Sequence, residues 1–335
     1  MLDVAVVVEG VTLVFPKNTH TAVIGPPACG ASTLLRVIAG DARGTVRIGA
    51  RDVSALRRSR RPLLYVTSSL DAPERWSVRH LLIAAVRARS LDREDRHHEF
   101  ELAAEKWTLT ALLDRRLGTL SSTERTRANL ARIELLKPAI LVADRLLEHA
   151  NPSIVVALAD AIARTLRVAG TTVISAPASP VELGLCDRVV VLDGGRVAQA
   201  GVPSEVFAAP QSEAAAMATG DVNVIPVEIR GRGVTSAIGA WETGAPPFEG
   251  SGVALARPDD FVIAAKGEDS DLIFGIEEAS FRDGRWHLYG LITGGLILHV
   301  VVPREVEVHK GKLLALRYDP ARFILKVRGL QSHAS

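Results

Sequence analysis

Apolar residues run through this chain in two rhythms. Up to about residue 210, short unbroken apolar runs alternate with longer stretches of helical spacing. Residues 4–8 and 11–15 (VAVVV, VTLVF) predict strands bounded by Gly10 and Pro16-Lys17-Asn18. His20–Ile24 is a third, followed by a glycine-bounded loop and the apolar helix that begins Leu34-Leu35-Arg36-Val37. Thr45–Ile48 and Leu63–Thr67 are further strands. A helical section spans roughly 77–136, with Val78, Leu81, Leu82, Ala85 and Val86 on one face and Ser77 as its N-cap. The run Ala139–Ala143 ends at Asp144, as a fully buried parallel strand does. A helix over 152–168 and short β-rich runs at 171–174 and 188–192 complete the alternation. It predicts an α/β domain with a parallel sheet and right-handed crossovers.

The second rhythm begins after a small-residue stretch, Ala208 to Gly220. Helical spacing gives way to short alternating strands at 224–229, 271–280, 286–292, 296–302 and 312–318, separated by turn residues. That is a small all-β barrel or sandwich. The expected boundaries are a first domain over 1–210, a linker over 211–222 and a β domain over 223–335.

Composition narrows the function classes. The chain has 335 residues, 47% of them hydrophobic, and a net charge of +2, so its balance does not point to nucleic acid. The one basic run, Arg57-Arg58-Ser59-Arg60-Arg61, is expected to be a solvated link before a strand. Cys29 and Cys186, far apart, suit a reducing cytoplasm rather than a disulfide scaffold. Met1-Leu2-Asp3 offers no basic n-region for a secretory signal, and no apolar run approaches the ~20 residues of a membrane span.

The candidate chemistry lies between the third strand and the first helix. Gly25, Pro26, Pro27, Ala28, Cys29, Gly30, Ala31, Ser32 and Thr33 follow the strand–loop–helix context of G-x-x-x-x-G-K-[ST]. Both glycines are present, Ser32 holds the hydroxyl that would bind Mg²⁺, and Ala31 stands where lysine belongs. The other reading of this stretch is a plain turn between strand and helix.

The order of motifs along nearly the whole chain resembles the ATP-binding subunits of ABC importers, specifically the maltose-type group with a C-terminal TOBE domain. Leu120-Ser121-Ser122-Thr123-Glu124 stands where that family's LSGGQ signature would be, and ILVAD ends at Asp144 in register with it. The tail Asp187–Arg196, then Gly201–Phe207, and the Val253–Asp260 run with Arg257-Pro258-Asp259 match as well. The resemblance implies a P-loop NTPase-like nucleotide-binding domain with a helical subdomain, followed by an OB-like TOBE barrel. It implies ATP and Mg²⁺ held by the loop, Ser32 and Asp144, permease subunits as partners gripped by residues 70–89, and attachment to the inner face of the cell membrane. Family members work as head-to-tail pairs, here a heterodimer with an intact ATPase subunit, or a homodimer.

The same resemblance exposes losses. Ala31 replaces the phosphate-binding lysine, Arg145 the water-polarising glutamate, Ser68 the Q-loop glutamine and Ala178 the switch histidine. Ser122 and Thr123 replace the signature glycines. The chain offers no strand for the adenine-stacking aromatic. A degenerate, non-hydrolysing domain with weak ATP binding is expected. For Ser121, a helix N-cap completed by Glu124 competes with γ-phosphate binding, and for Asp144 a strand-end cap competes with the metal. A regulatory or scaffold protein whose β domain binds a ligand, with Trp241, Trp286, His287 and Tyr289 as candidates, is the alternative. An atypical active ATPase would need Arg36 or Arg145 as replacement cation.

Overall fold

The structure, a computed structural model, describes residues 3–8, 11–244, 247–265 and 268–327. The turn at Gly10 and the last eight positions of the expected β domain lie outside these residues. The chain divides into two compact units, Met1–Ser204 and Glu205–Ser335.

The first unit holds two sheets. β1 (Val4–Val8), β2 (Val11–Phe15), β4 (Thr45–Ile48) and β5 (Arg51–Asp52) form an antiparallel sheet in the order β2-β1-β4-β5. The second sheet contains β3 (His20–Ile24), β6 (Leu64–Thr67), β7 (Ile140–Asp144), β8 (Thr172–Ala176), β9 (Arg188–Asp193) and β10 (Arg196–Gly201). Its order is β10-β9-β3-β8-β7-β6, parallel except for the β10 edge.

The central strand β7 shows why its sequence is apolar throughout. Ile140 and Val142 face a core shared with β1, β4 and helix α1 (Ala31–Ala39). Leu141 and Ala143 face the opposite core, built with helices α2 (Val78–Arg87), α3 (Arg93–Lys106), α4 (Ser122–Leu136) and α5 (Pro152–Val168). Only Asp144, where the strand emerges, is polar.

The expected helical section contains the three helices α2, α3 and α4. Ser77 caps α2 as predicted, its hydroxyl accepting from the His80 N–H. The break after α3 occurs at Trp107 and Thr108, the latter in a left-handed conformation (φ 56°), with Trp107 buried and its indole N–H donating to Glu134.

The basic run is not a solvated link. Arg61 is 6% exposed. Its guanidinium donates to the carbonyls of Val37 and Ile38 (both 2.7 Å), Leu56 (3.0 Å) and Ser54 (3.1 Å). The last carbonyls of α1 lie beyond its regular hydrogen bonds, Val37 accepting from the C-cap Gly40 N–H at 3.1 Å, and they carry the negative end of its dipole, so a buried cation belongs there. Arg58 reaches Asp41 and Asp71 and lies over the Tyr65 ring.

The second unit begins earlier than residue 210, and the expected linker is structured. Helix α6 (Pro203–Ala208) precedes it and helix α7 (Glu213–Thr219) occupies it, with Ser212 capping α7 and Ala214, Ala215 and Ala216 buried. Small residues suggested flexibility, yet alanine is the strongest helix former and serine a good cap. Arg257 binds this segment through the carbonyls of Phe207, Ala216, Gly220 and Asp221, and its guanidinium sits 4.1 Å from the Phe207 ring centre.

The β part is a nearly closed barrel of two five-stranded antiparallel sheets. One contains β11 (Asn223–Arg230), β12 (Gly233–Ser236), β13 (Gly239–Glu242), β14 (Gly250–Ala256) and β20 (Ile324–Val327). The other contains β15 (Phe261–Ile263), β16 (Leu272–Arg282), β17 (Arg285–Ile292), β18 (Ile297–Pro303) and β19 (Leu313–Tyr318). Alternate residues Ile225, Val227 and Ile229 of β11 enter its core. Trp241 packs edge-on against Tyr318 and Phe323, so it serves that core.

His20 begins β3, and its ring meets the Ser175 hydroxyl at 2.8 Å beside Cys186. Burial pushes the His20 pKa down to about 4, against the nearby Asp187, and pushes the Cys186 thiol up to about 12. The folded state therefore prefers neutral His20. That stability is fully present above the unfolded value near 6.5 and is lost as pH falls through about 4. The loss is expected to reach roughly 2–3 kcal/mol. Thermal melts between pH 7 and pH 4 check it: His20→Gln should show a shallower decline than the wild type, and an identical decline would rule His20 out as the cause.

Candidate nucleotide site

The loop between β3 and α1 is held by close packing. A Cβ on Gly25 would lie 2.1 Å from the Leu192 carbonyl oxygen and 2.7 Å from the Cys29 Cβ, so no other residue fits. The Cys29 N–H donates to the Pro26 carbonyl at 3.0 Å, and the Gly195 N–H braces the Cys29 carbonyl at 3.2 Å. Ala28 (φ 64°) and Gly30 (φ 100°) are both left-handed, at a cost of about 1 kcal/mol for the alanine. Gly30 is the N-cap of α1, and no side chain caps this helix. The N–H groups of the first turn and the positive end of the helix dipole are thus left for an anion. Leu34, Leu35, Val37 and Ile38 bury the inner face of α1 and fix its direction.

Asp144 comes to the same place from the neighbouring strand end. In β-sheet register it lies between Thr67 of β6 and Ala176 of β8. The Ser32 hydroxyl donates to Asp144 Oδ1 at 2.9 Å, and the Tyr65 hydroxyl to Oδ2 at 3.3 Å. Burial, then the Asp144 charge, raises the Tyr65 pKa to about 12, so it stays a donor. Tyr65 reads in the sequence only as a strand residue; the parallel pairing of β6 with β7 is what brings it to the carboxylate.

The hydroxyl of Ser32 and the carboxylate of Asp144 fit a hard cation such as Mg²⁺, and the uncapped helix start fits phosphate. Bound there, Mg²⁺ would neutralise phosphate charge. Where the resembled motif carries a lysine, this chain carries Ala31. Ala31 places a methyl group against the α1 core. Neither proposed replacement supplies the lysine's charge: Arg36 lies in the last turn of α1, and the Arg145 guanidinium donates to Glu148 at 2.8 Å. Glu148 keeps Arg145 more firmly protonated than usual, which excludes it as a proton acceptor. Its backbone is left-handed (φ 51°), with the N–H donating to the Ala176 carbonyl at 2.8 Å.

The remaining candidates are spread around this centre. Ser68, half-buried, directly follows β6. The Ala178 N–H donates to Glu182 at 2.9 Å, and partial burial raises the Glu182 pKa, so a half-buried carboxyl missed in the sequence orders the segment expected to carry the switch. Ser121–Glu124 stand at the start of α4. The Ser121 hydroxyl accepts from the Glu124 N–H at 3.3 Å while the Glu124 carboxylate accepts from the Ser121 N–H at 2.8 Å, a complete capping box. The Thr123 hydroxyl accepts from the Asn151 N–H.

The family model for ABC transporters matches residues 8–147, which span the loop, the signature position and Asp144. A sn-glycerol-3-phosphate import ATP-binding protein, UgpC 3 of Rhizobium etli, is 30% identical over 277 residues, covering 81% of this chain and 78% of its own. The chain belongs to the ATP-binding subunits of ABC transporters. UgpC 3 of Agrobacterium fabrum is 25% identical over 95% of this chain and 92% of its own, so this likeness extends through the second unit. Among solved structures, an ATP-binding subunit of an ABC transporter superposes with a TM-score of 0.53 at 20% identity, over 61% of this chain and 92% of its own. The cbiO1 subunit of the cbiONQ complex of Clostridium perfringens gives 0.53 at 22%, over 62% and 90%. These ABC folds share the α/β architecture with helical parts of the first unit. As an ABC ATP-binding subunit the chain partners with membrane permeases; among the described residues no helix is long and apolar enough to cross a membrane.

Proposed function

We propose that this subunit is a non-hydrolysing half of an ABC importer, docked on the cytoplasmic face of its permease and paired with a catalytically intact ATPase subunit. The observation that carries the reading is the Asp144 neighbourhood. The Ser32–Asp144 pair and the uncapped helix start remain, but Ala31 leaves the phosphates without a cation and Arg145 is committed to Glu148. Phosphoryl transfer depends on positioned charge, so such a site binds ATP weakly and does not turn it over. The capped Ser121 supports the same reading, because its hydroxyl is already engaged.

In a head-to-tail pair, the partner's intact loop would face Leu120–Glu124, and only that composite site would hydrolyse ATP. The segment from Leu70 to Arg89, whose α2 is well packed in the core, is the permease contact. The second unit is a TOBE-like domain. The relatives are named for sn-glycerol-3-phosphate and, in Agrobacterium fabrum, for sulfoquinovosyl glycerol, which favours a sugar-type polar cargo.

Affinity-tagged chain, co-expressed with its permease and an intact ATPase subunit, is expected to co-purify with both from detergent-solubilised membranes. Recovery only as a free homodimer, with no permease in the eluate, would overturn the reading.

A further inference from the structure

The β unit carries a side-chain cluster unrelated to the nucleotide site. His287 of β17 and His299 of β18 project from the same sheet face, since His299 lies opposite Tyr289, two residues from His287. Their nearest nitrogens, His287 Nδ1 and His299 Nε2, are 3.1 Å apart. On the other side of the His299 ring, Nδ1 is 3.5 Å from Asp221 Oδ2. Ligand atoms from all three residues lie within 4.8 Å of one another.

We propose that His287, His299 and Asp221 form a site for a zinc-class divalent metal ion. Two nitrogen ligands at about 2.0–2.1 Å from a tetrahedral zinc are separated by about 3.3 Å, close to the spacing found here. Asp221 Oδ2, 3.5 Å from His299 Nδ1, favours the tautomer with the proton on that nitrogen, which would leave the Nε2 lone pair facing His287. This is the carboxylate–histidine–metal arrangement that orients many metal ligands. Two imidazoles and water would complete the coordination, with the metal taking the place of the proton that otherwise bridges the two rings.

The ligands are held ready. His299 is 8% exposed, and Tyr289 stacks on its ring at 4.4 Å with a 14° tilt. The Asn223 side chain binds both the N–H and the carbonyl of His299, each at 2.8 Å, tying the segment that carries Asp221 to β18. Arg282 holds the Tyr289 hydroxyl at 3.1 Å. His287 is half-buried and Asp221 exposed, which leaves a path for the ion.

The test is Zn²⁺ titration of the full chain by calorimetry after chelator treatment, with Co²⁺ absorption as a check on nitrogen ligation. One ion per chain is expected, with a rise in Tm. His287→Ala, at a half-exposed position that leaves the barrel core intact, should abolish binding while keeping the wild-type circular dichroism spectrum. Asp221→Asn should weaken it about 10–100-fold. A double substitution of the exposed His97 and His98 should leave it unchanged. Absence of Zn²⁺ binding by the wild type, or binding that survives His287→Ala and vanishes with His97 and His98, would overturn the site.

Discussion

Purified alone, the chain is expected to release phosphate from ATP no faster than buffer, at least about 10³-fold below an intact ABC subunit assayed the same way. The expectation rests on separate losses. On the proposed reading, Ala31 would leave the phosphates without a cation, and Arg145, bonded to Glu148, would stand where a proton acceptor is needed. Ser122 and Thr123 carry Cβ atoms where the resembling motif has glycines, and Ala178 supplies no imidazole. Because these defects lie on different elements, Ala31→Lys with Arg145→Glu should not restore turnover by itself. Ser32→Ala serves as the contamination control: residual phosphate release that it leaves unchanged comes from another protein. Release that requires Ser32 in the otherwise unmodified chain would end the non-hydrolysing reading.

Replacing Arg61 should be among the most damaging single changes to the first unit. Four carbonyls, from Val37, Ile38, Ser54 and Leu56, converge on one buried guanidinium. Arg61→Met retains volume but takes the guanidinium away from four desolvated carbonyls, of which Val37 keeps the Gly40 N–H at 3.1 Å. A loss of about 3 kcal/mol or more is expected, read as a Tm fall of roughly 6–12 °C for a unit of this size. Arg61→Lys keeps the charge but lacks the planar fork, so it should fall between the two. A destabilisation below about 0.5 kcal/mol for Arg61→Met would show that water replaces the donor.

Arg61 also marks a limit of the sequence. In a string of four arginines nothing distinguishes the buried one, because its partners are backbone carbonyls up to 24 residues away. The apolar runs were legible: β3, β7, β8 and β9 are where the pattern places them, because strands buried on both faces need unbroken hydrophobic residues. The Ala208–Gly220 stretch was not, since small residues suit both linkers and helices and Arg257, which fixes the outcome, is distant in sequence. At the nucleotide site the motif named Ser32 and Asp144, which the fold joins. It did not name Tyr65 or Glu182, whose roles exist only through neighbouring strands and turns. In the β unit, His287 and Tyr289 were visible as ligand candidates, while His299 joins them only through strand pairing and Asp221 through the Asn223–His299 hydrogen bonds.

Gly25 has an evolutionary consequence. Its place is reserved by the Leu192 carbonyl and by Cys29, both part of the chain itself. A lineage that abandoned nucleotides altogether would still keep this glycine, because any side chain there pushes β9 away from β3. Position 31 is half-buried at the edge of the α1 core and meets no backbone clash of that kind, so it is the more readily changed once phosphate contact stops mattering. In surveys of decayed relatives, the first glycine of the loop therefore records an intact scaffold, and the lysine position records use.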